Sequence, residues 1–266
     1  MVGRSGVRCA ERGTKCRPAS RFMLSEYAYE LELDRPCSLP YRNCADYRVL
    51  CQKDEDLMPS VTEVLDYLTE PELLNWFRNN SKKKCEEISK EALRVGSAVD
   101  ALVQQDIREG GYLAPEGDAP IVNCMRGWEK FKRDYPKFVE SVRFMQKEIR
   151  EGEVVGHPDF IRDEIHRWGI TDLKCSSGIR SRYWTQTAKY LDMERKMENR
   201  GEGFISVLRL DKTASEGAYE YKEIIDFEYI KYEIEVFEAY LTAFNHNVRN
   251  REQIRRMLEE ELFDVI

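Results

Sequence analysis

The spacing of apolar residues predicts a long amphipathic helix in the first half of the chain. Between residues 88 and 102, apolar side chains recur every three or four positions, which is the period of one helix face. These positions are Ile88, Ala92, Val95, Val99 and Leu102. Two adjacent glycines, Gly110 and Gly111, are expected to end this helix.

Shorter helices are predicted on both sides of this element. Ser60 and Glu63 have the spacing of a capping box in front of an apolar stripe, and a second short helix is expected over residues 71–77. A further helix is predicted over residues 120–135, where Pro136 would stop it.

Further along the chain, the pattern changes to short runs that are rich in valine, isoleucine and phenylalanine. Three such runs, at residues 141–149, 153–162 and 168–175, predict three strands with loops between them. The remaining elements would follow this group of strands.

The C-terminal part predicts a helix, a pair of strands and a final helix. The helix covers residues 180–199, residues 204–210 suit a buried central strand, and residues 219–227 would pair with it. The final helix has one apolar face, formed by Ile230, Ile234, Phe237, Leu241, Phe244 and Val248. This order predicts an α/β fold, with a central mixed sheet flanked by helices and a helical N-terminal portion.

Composition separates an N-terminal extension from the folded part. Residues 1–22 contain six basic residues, one acid and almost no large apolar side chains. We therefore predict a basic, poorly ordered extension over residues 1–56 and a single folded domain over residues 57–266. A mitochondrial targeting segment, or a natural start at Met23, are alternatives for the first 22 residues.

Charge and cysteine content restrict the partners and the compartment. The net charge is −7, so a nucleic acid would have to bind a local basic patch. No apolar run reaches the roughly 18 residues of a membrane span, so we expect a soluble, intracellular protein without a membrane partner. The eight cysteines are then expected to be mostly reduced thiols.

Two predicted strands carry acidic residues and a lysine in a pattern that suits phosphodiester chemistry. The 12 residues between Asp159 and Asp172 suit a hairpin that brings the two acids together. Because side chains two apart in a strand share a face, Asp172 and Lys174 should point the same way, and Leu173 should point into the core. An ordinary solvated charged face is the alternative, but Asp172 ends an apolar strand, where unpaired acids are unusual.

Two neighbouring carboxylates and a lysine can together promote hydrolysis. The carboxylates repel each other unless they share a cation, and hard oxygen ligands select Mg²⁺ or Mn²⁺. Such an ion polarises a phosphodiester and lowers the pKa of a bound water. A nearby lysine stabilises the charge that grows on the phosphate in the transition state.

These residues resemble the signature of the PD-(D/E)xK nuclease superfamily. Pro158 and Asp159, followed by Asp172, Leu173 and Lys174, match its central motif. The resemblance extends over residues 59–245 and is closest to the RecB-like and phage-type exonuclease branch. It implies a restriction-endonuclease-like core for the α/β fold. Within that branch, the pair Gln186 and Tyr190 in the following helix is similar to the Q-x-x-x-Y motif.

The resemblance implies roles for individual residues. Asp159, Asp172 and the Leu173 carbonyl would bind the metal, and Lys174 would be the catalytic lysine. Glu148 matches an upstream acid that would bind a second metal or its water; an exposed strand residue is the alternative. Gln186 and Tyr190 would orient the active-site loop or contact DNA, with helix packing as the alternative.

Two departures from the family pattern affect the expected cofactors. Asp100 stands where the branch usually has histidine; it could still bind a cation but cannot supply a neutral imidazole. Some relatives hold an iron–sulfur cluster on late cysteines, whereas no cysteine follows Cys175, so no cluster is predicted.

A local group of basic and aromatic residues is the predicted DNA-binding surface. Cations can hold phosphates and aromatic rings can stack on unpaired bases. The candidates are Arg180, Arg182, Lys189, Trp184, Gln186 and Tyr190. An ordinary amphipathic helix with Trp184 in the core is the alternative.

The expected function is Mg²⁺-dependent hydrolysis of DNA, with exonuclease action on single strands or duplex ends favoured over endonuclease action. Family resemblance places such enzymes in recombination, repair or replication. A catalytically inactive nucleic-acid-binding relative is the first alternative, and Asp100 is the residue that supports it. A protein-interaction role for the C-terminal helix is the second.

Overall fold

The computed structural model describes residues 58–67, 71–113 and 115–263. The predicted N-terminal extension, residues 1–56, lies outside the described residues. In chain order, the elements are α1 (Val61–Tyr67), α2 (Pro71–Asn79), α3 (Lys82–Glu109), α4 (Ala119–Asp134), α5 (Lys137–Ser141), β1 (Val142–Met145), β2 (Ile149–Glu151), β3 (Val154–Gly156), β4 (Phe160–Asp163), β5 (Trp168–Lys174), α6 (Ser181–Met197), β6 (Phe204–Leu210), β7 (Tyr219–Ile224) and α7 (Phe227–Phe263).

The central sheet has five strands in the order β1-β4-β5-β6-β7. Strands β5 and β6 are parallel, and the other neighbouring pairs are antiparallel. The crossover between the two parallel strands contains α6, as the preference of parallel strands for helical connections predicts. The predicted α/β class with a central mixed sheet flanked by helices is thus confirmed.

The prediction of three strands between residues 141 and 175 is wrong in its boundaries. The first predicted strand ends at Met145 because Gln146 has a left-handed backbone, with φ of 51°. The second is divided into β3 and β4 by the segment 157–159. Strands β2 and β3 form a separate two-stranded hairpin, whose Val155 bridges to Ser60 in front of α1.

Local helix signals are largely confirmed. Ser60 Oγ accepts a hydrogen bond from the Glu63 N–H at 3.1 Å, and the Ser60 N–H donates to the Glu63 carboxylate at 2.7 Å. Gly110 ends α3 with φ of 72°. The predicted apolar face of α3 is wrong in its first half, since Ile88 is 44% exposed and Ala92 is also exposed.

Two hydrophobic cores lie on opposite faces of the sheet. One joins the sheet to α1, α6 and α7 through residues such as Ile170 and Phe237. The other joins it to α3, α4 and α5 through residues such as Trp128 and Leu173. Because alternate residues of β5 face opposite sides, Leu173 enters the second core, while Asp172 and Lys174 share the face of Ile170.

No helix in the described ranges is long and apolar enough to cross a membrane.

Candidate active site

The hairpin of β4 and β5 brings the two predicted aspartates together. Phe160 pairs with Thr171 at the end of this antiparallel ladder, so Asp159 and Asp172 come next on the two strands. Beyond the ladder, the Leu173 N–H donates a hydrogen bond of 2.7 Å to Asp159 Oδ2. The Asp159 carboxylate therefore takes the place of a main-chain partner at the end of β5.

Lys174 forms an ion pair with Asp172. Its Nζ donates a hydrogen bond of 2.8 Å to Asp172 Oδ1 and also lies 2.8 Å from Oδ2. The same ammonium group lies 5.2 Å from the centre of the Tyr183 ring, at a distance typical of a cation–π contact. These contacts hold a positive charge at the end of the central strand.

Burial and neighbouring charges shift the protonation of this pair. Asp172 is 2% exposed, and this burial raises its pKa to about 7. The Lys174 charge opposes that shift, and the Asp159 charge adds to it. For Lys174, burial lowers the pKa, but the charges of Asp172 and Asp159 outweigh burial and raise the pKa above its ordinary value. Lys174 thus remains a cation at neutral pH.

Asp100 on α3 belongs to the same electrostatic neighbourhood. Burial, followed by the Asp159 charge, raises its pKa to about 6. Its Oδ2 accepts a hydrogen bond of 2.7 Å from Gln104 Nε2, and the Arg108 guanidinium holds the other end of the Gln104 amide at 2.9 Å. Its Oδ1 is buried and has no hydrogen-bond partner among the described residues.

The donor set fits a hard cation with few protein ligands. Among the described residues, no group of three or more His, Cys, Asp and Glu side chains has the geometry of a metal site. Mg²⁺ does not require such a cage, because it commonly binds through one or two carboxylates and retains several waters. The raised pKa values of Asp100 and Asp172 and the unpartnered Asp100 Oδ1 identify a place where added positive charge would relieve repulsion.

Glu148 is placed differently from the two aspartates. It lies in the loop between β1 and β2, not in a strand, and it is exposed. Its Oε1 accepts a hydrogen bond of 2.7 Å from Arg150 Nε, and its Oε2 lies 3.5 Å from His157 Nε2. The hydrogen bond from Arg150 lowers the pKa of Glu148. A metal-binding role for Glu148 remains a prediction.

Gln186 and Tyr190 form a buried pair beneath the loop before Asp159. Gln186 Nε2 donates a hydrogen bond of 3.1 Å to the Tyr190 hydroxyl. The Tyr190 ring packs against Gly156, where a β-carbon would lie 2.6 Å from the ring. Burial raises the pKa of Tyr190, and the charges of Asp172 and Asp159 also act on its hydroxyl. This arrangement suits the predicted role of orienting the active-site loop.

The predicted basic surface on α6 is smaller than the sequence indicates. Lys189 is 3% exposed, and its Nζ lies 2.8 Å from Glu151 and 2.7 Å from Glu238. Its predicted DNA contact is therefore corrected, because the buried ammonium group forms ion pairs with these two acids. Trp184 is 9% exposed and belongs to a hydrophobic core, as the alternative prediction held.

The two arginines of the predicted DNA-binding surface lie near the start of α6. Arg180 is exposed immediately before the helix. Arg182 is partly buried and donates a hydrogen bond to Asp66 Oδ1. Their contacts with DNA remain predictions.

Gln146 is a site residue that the sequence analysis missed. Its Nε2 donates a hydrogen bond of 2.7 Å to Asp159 Oδ1. No periodicity or motif marks this glutamine, because its role depends on strand pairing: Met145 pairs with Phe160, so Gln146 comes next to Asp159 just beyond the end of β1. Glutamine rarely adopts a left-handed backbone, and only the three-dimensional structure shows that Gln146 does so.

Comparison with solved structures finds several that are similar to this chain. No protein-family model and no curated protein matches the chain. A protein of Eubacterium rectale described as a candidate exonuclease is 18% identical, with 60% of this chain and 68% of that chain covered and a TM-score of 0.43. An alkaline exonuclease of Laribacter hongkongensis is 12% identical, with 76% and 96% covered and a TM-score of 0.36. The same exonuclease in complex with dAMP is 11% identical, with 76% and 95% covered and a TM-score of 0.31.

Proposed function

We propose that the protein is a metal-dependent nuclease of the PD-(D/E)xK type that hydrolyses DNA phosphodiester bonds. The observation that carries this proposal is the joint position of three residues at the end of β5. Lys174 is paired with the buried Asp172 at 2.8 Å, and Asp159 is anchored on the intervening Leu173 N–H at 2.7 Å. A positive charge and two carboxylates are thus held within one short stretch of sheet.

Asp159, Asp172 and the Leu173 carbonyl would hold Mg²⁺ or Mn²⁺, and Asp100 would add an oxygen from α3. When bound, the ion would lower the pKa of a coordinated water and polarise the phosphate. We propose no iron–sulfur cluster for this chain. Glu148 is a candidate for a second-metal ligand only if its loop moves its carboxylate away from Arg150.

The protein residues have distinct tasks in this mechanism. The pKa of Lys174 is raised, so this residue acts as a fixed cation and not as a proton acceptor. Its ammonium group would stabilise the negative charge that develops on the phosphoryl oxygens. The two donors to Asp159, the Gln146 amide and the Leu173 N–H, are neutral, so they orient its carboxylate without bringing an opposing charge to it.

The substrate is proposed to be single-stranded DNA or a duplex end, attacked as an exonuclease in recombination, repair or replication. The support is the family resemblance of the motifs, with Gln186 and Tyr190 under the active-site loop. Lys174 and Arg180 are the proposed phosphate contacts, since the buried Lys189 is paired with Glu151 and Glu238.

A catalytically inactive DNA-binding relative is the second candidate. The observation that favours it is Asp100, which adds negative charge to the site in place of the usual histidine. If this charge keeps Lys174 in its ion pair with Asp172, the protein would retain its fold and would bind DNA without cleaving it.

Digestion of end-labelled single-stranded and duplex DNA tests the proposal. Wild type, Lys174→Met and Lys222→Met would be compared with Mg²⁺, Mn²⁺ or EDTA; Lys222 is an exposed lysine on β7 paired with Glu220 at 2.8 Å. We expect metal-dependent cleavage that is lost in Lys174→Met and kept in Lys222→Met. Removing the interaction with the transition state should lower the rate at least about 100-fold. DNA binding without cleavage by folded wild type would select the inactive relative instead.

A further inference from the structure

Gln146 is bound to Asp159 through both its main chain and its side chain. Its N–H points at two carbonyl oxygens, those of Pro158 at 3.1 Å and Asp159 at 3.3 Å. Its Nε2 donates to Asp159 Oδ1 at 2.7 Å. Because the Leu173 N–H holds Oδ2, the carboxylate is fixed by one donor from each side. The plane of the carboxylate is thereby set by groups from β5 and from the end of β1.

The backbone of Gln146 lies in the left-handed region, with φ of 51°. Side chains other than Gly, Asn and Asp rarely adopt this conformation, because the β-carbon approaches the following carbonyl. Such strain persists where surrounding contacts enforce it, and it is frequent at functional sites. A glycine at this position would relieve the backbone and keep the main-chain bonds to residues 158 and 159, but it would lack the amide.

We propose that Gln146 is a positioning residue that orients the Asp159 carboxylate for metal binding, at a cost in backbone strain. This inference rests on the proposed function. A neutral amide suits the task because it directs the carboxylate without cancelling its charge, unlike a lysine or arginine. Each carboxylate oxygen can accept more than one contact, so Oδ1 keeps capacity for a cation while Gln146 holds it.

Stability and metal affinity should respond in opposite directions when Gln146 is replaced by glycine. Gln146→Gly relieves the left-handed backbone and removes the amide donor, whereas Gln146→Met keeps the backbone strain and removes the same donor. Groups that orient metal ligands typically contribute 10–100-fold to metal affinity. We therefore expect both variants to bind Mn²⁺ about 10-fold or more weakly, while only Gln146→Gly keeps or raises the melting temperature.

Asn199 provides a matched control. It is the other non-glycine residue with positive φ in the described ranges, with φ of 50°, and it follows the C-terminus of α6. Asn199→Gly makes the same kind of backbone change without touching Asp159. We expect its Mn²⁺ affinity to stay within about twofold of wild type, since no ligand-orienting group is lost.

The experiment is a Mn²⁺ titration, followed by the electron paramagnetic resonance signal of the free ion, with thermal unfolding of each metal-free variant. Asp159→Ala is included to report loss of the site itself. Weaker Mn²⁺ binding by both Gln146 variants, with Asn199→Gly unchanged, supports the inference. Unchanged Mn²⁺ affinity in folded Gln146→Met overturns it and leaves the proposed function standing. No Mn²⁺ binding by wild type overturns both.

Discussion

The Tyr190 ring lies against the main chain of Gly156, three residues before Asp159. A β-carbon at Gly156 would come within 2.6 Å of one ring carbon and 2.8 Å of another. The ring cannot easily withdraw, because Tyr190 is 4% exposed and its hydroxyl accepts a hydrogen bond from Gln186. Gly156 and Tyr190 thus determine the course of the segment that carries Asp159.

Gly156→Ala is expected to impair both folding and metal binding. The added methyl group must displace a buried ring, and overpacking of this kind typically costs about 1–3 kcal/mol. A shift of the ring would also move the segment that carries Asp159. The free energy of unfolding from urea denaturation and Mn²⁺ affinity would both be measured.

Gly201→Ala is the control for that substitution. A β-carbon at Gly201 would have no neighbour within 4 Å, and the residue does not require a positive φ. We expect the free energy of unfolding of Gly201→Ala to stay within about 0.5 kcal/mol of the wild-type value. Equal effects of the two alanine substitutions would show that the ring contact does not restrain this segment.

The raised pKa values of Asp100 and Asp172 predict that the metal-free protein loses stability as pH rises. An aspartate in the unfolded chain has a pKa near the ordinary 3.8, whereas burial raises the values in the folded state to about 6 and about 7. The folded state therefore binds these protons more tightly, and stability present below pH 4 is lost as pH rises through 6 and 7. In EDTA, the free energy of unfolding should fall by several kcal/mol between pH 4 and pH 8, since a shift of one pKa unit corresponds to about 1.4 kcal/mol.

Two variants and the addition of Mg²⁺ distinguish the titration of the buried aspartates from a general effect of pH on stability. Asp172→Asn should flatten the slope between pH 4 and pH 8. Asp163→Asn should leave this slope unchanged. Arg200 and Arg143 outweigh the effect of burial and lower the pKa of Asp163, so its titration affects stability only at lower pH. Mg²⁺ should stabilise the wild type more at pH 8 than at pH 5, since a cation competes with the protons. A Mg²⁺ effect independent of pH would count against Asp172 as a ligand.

Gln104 is expected to affect metal binding through Asp100. Its amide donates to Asp100 Oδ2 at 2.7 Å, and Arg108 fixes that amide from the next turn of α3 at 2.9 Å. Gln104→Leu removes the donor and lets the carboxylate rotate, so Mn²⁺ affinity should fall by roughly 10-fold. Calorimetric titration would measure this change.

The neighbouring Gln105 offers a control on the same helix. Its amide donates to Glu109 at 2.9 Å, on the exposed side of α3. Gln105→Leu should leave Mn²⁺ affinity unchanged. If the two leucine variants bind Mn²⁺ like wild type, Asp100 does not act as a ligand.

The sequence predicted the parts of the fold that depend on local signals. The Ser60 and Glu63 cap and the end of α3 at Gly110 depend on a few adjacent residues, and both are confirmed. The exposure of Ile88 was not predictable, because a helical period marks an apolar face but does not say how far a partner covers it.

The candidate site was predictable only where it follows strand geometry. The alternation of a strand places Asp172 and Lys174 on one face, and this follows from sequence alone. Gln146 reaches Asp159 from just beyond the end of β1, and Lys189 meets Glu151 from 38 positions away. Such contacts depend on the tertiary arrangement, so charge and periodicity could not indicate them.

Lys189→Met tests whether this lysine serves the fold or the DNA. The ammonium group is buried between Glu151 and Glu238, and its removal leaves both acids without this partner. Breaking a buried ion pair costs about 3–5 kcal/mol, and the partial exposure of both acids should reduce this to roughly 2 kcal/mol. Lys222→Met on β7 should change stability by less than about 1 kcal/mol, because that lysine pairs at the surface. A DNA contact would give the opposite result: unfolding free energy would be unchanged, and the salt dependence of DNA binding would weaken by about one phosphate contact.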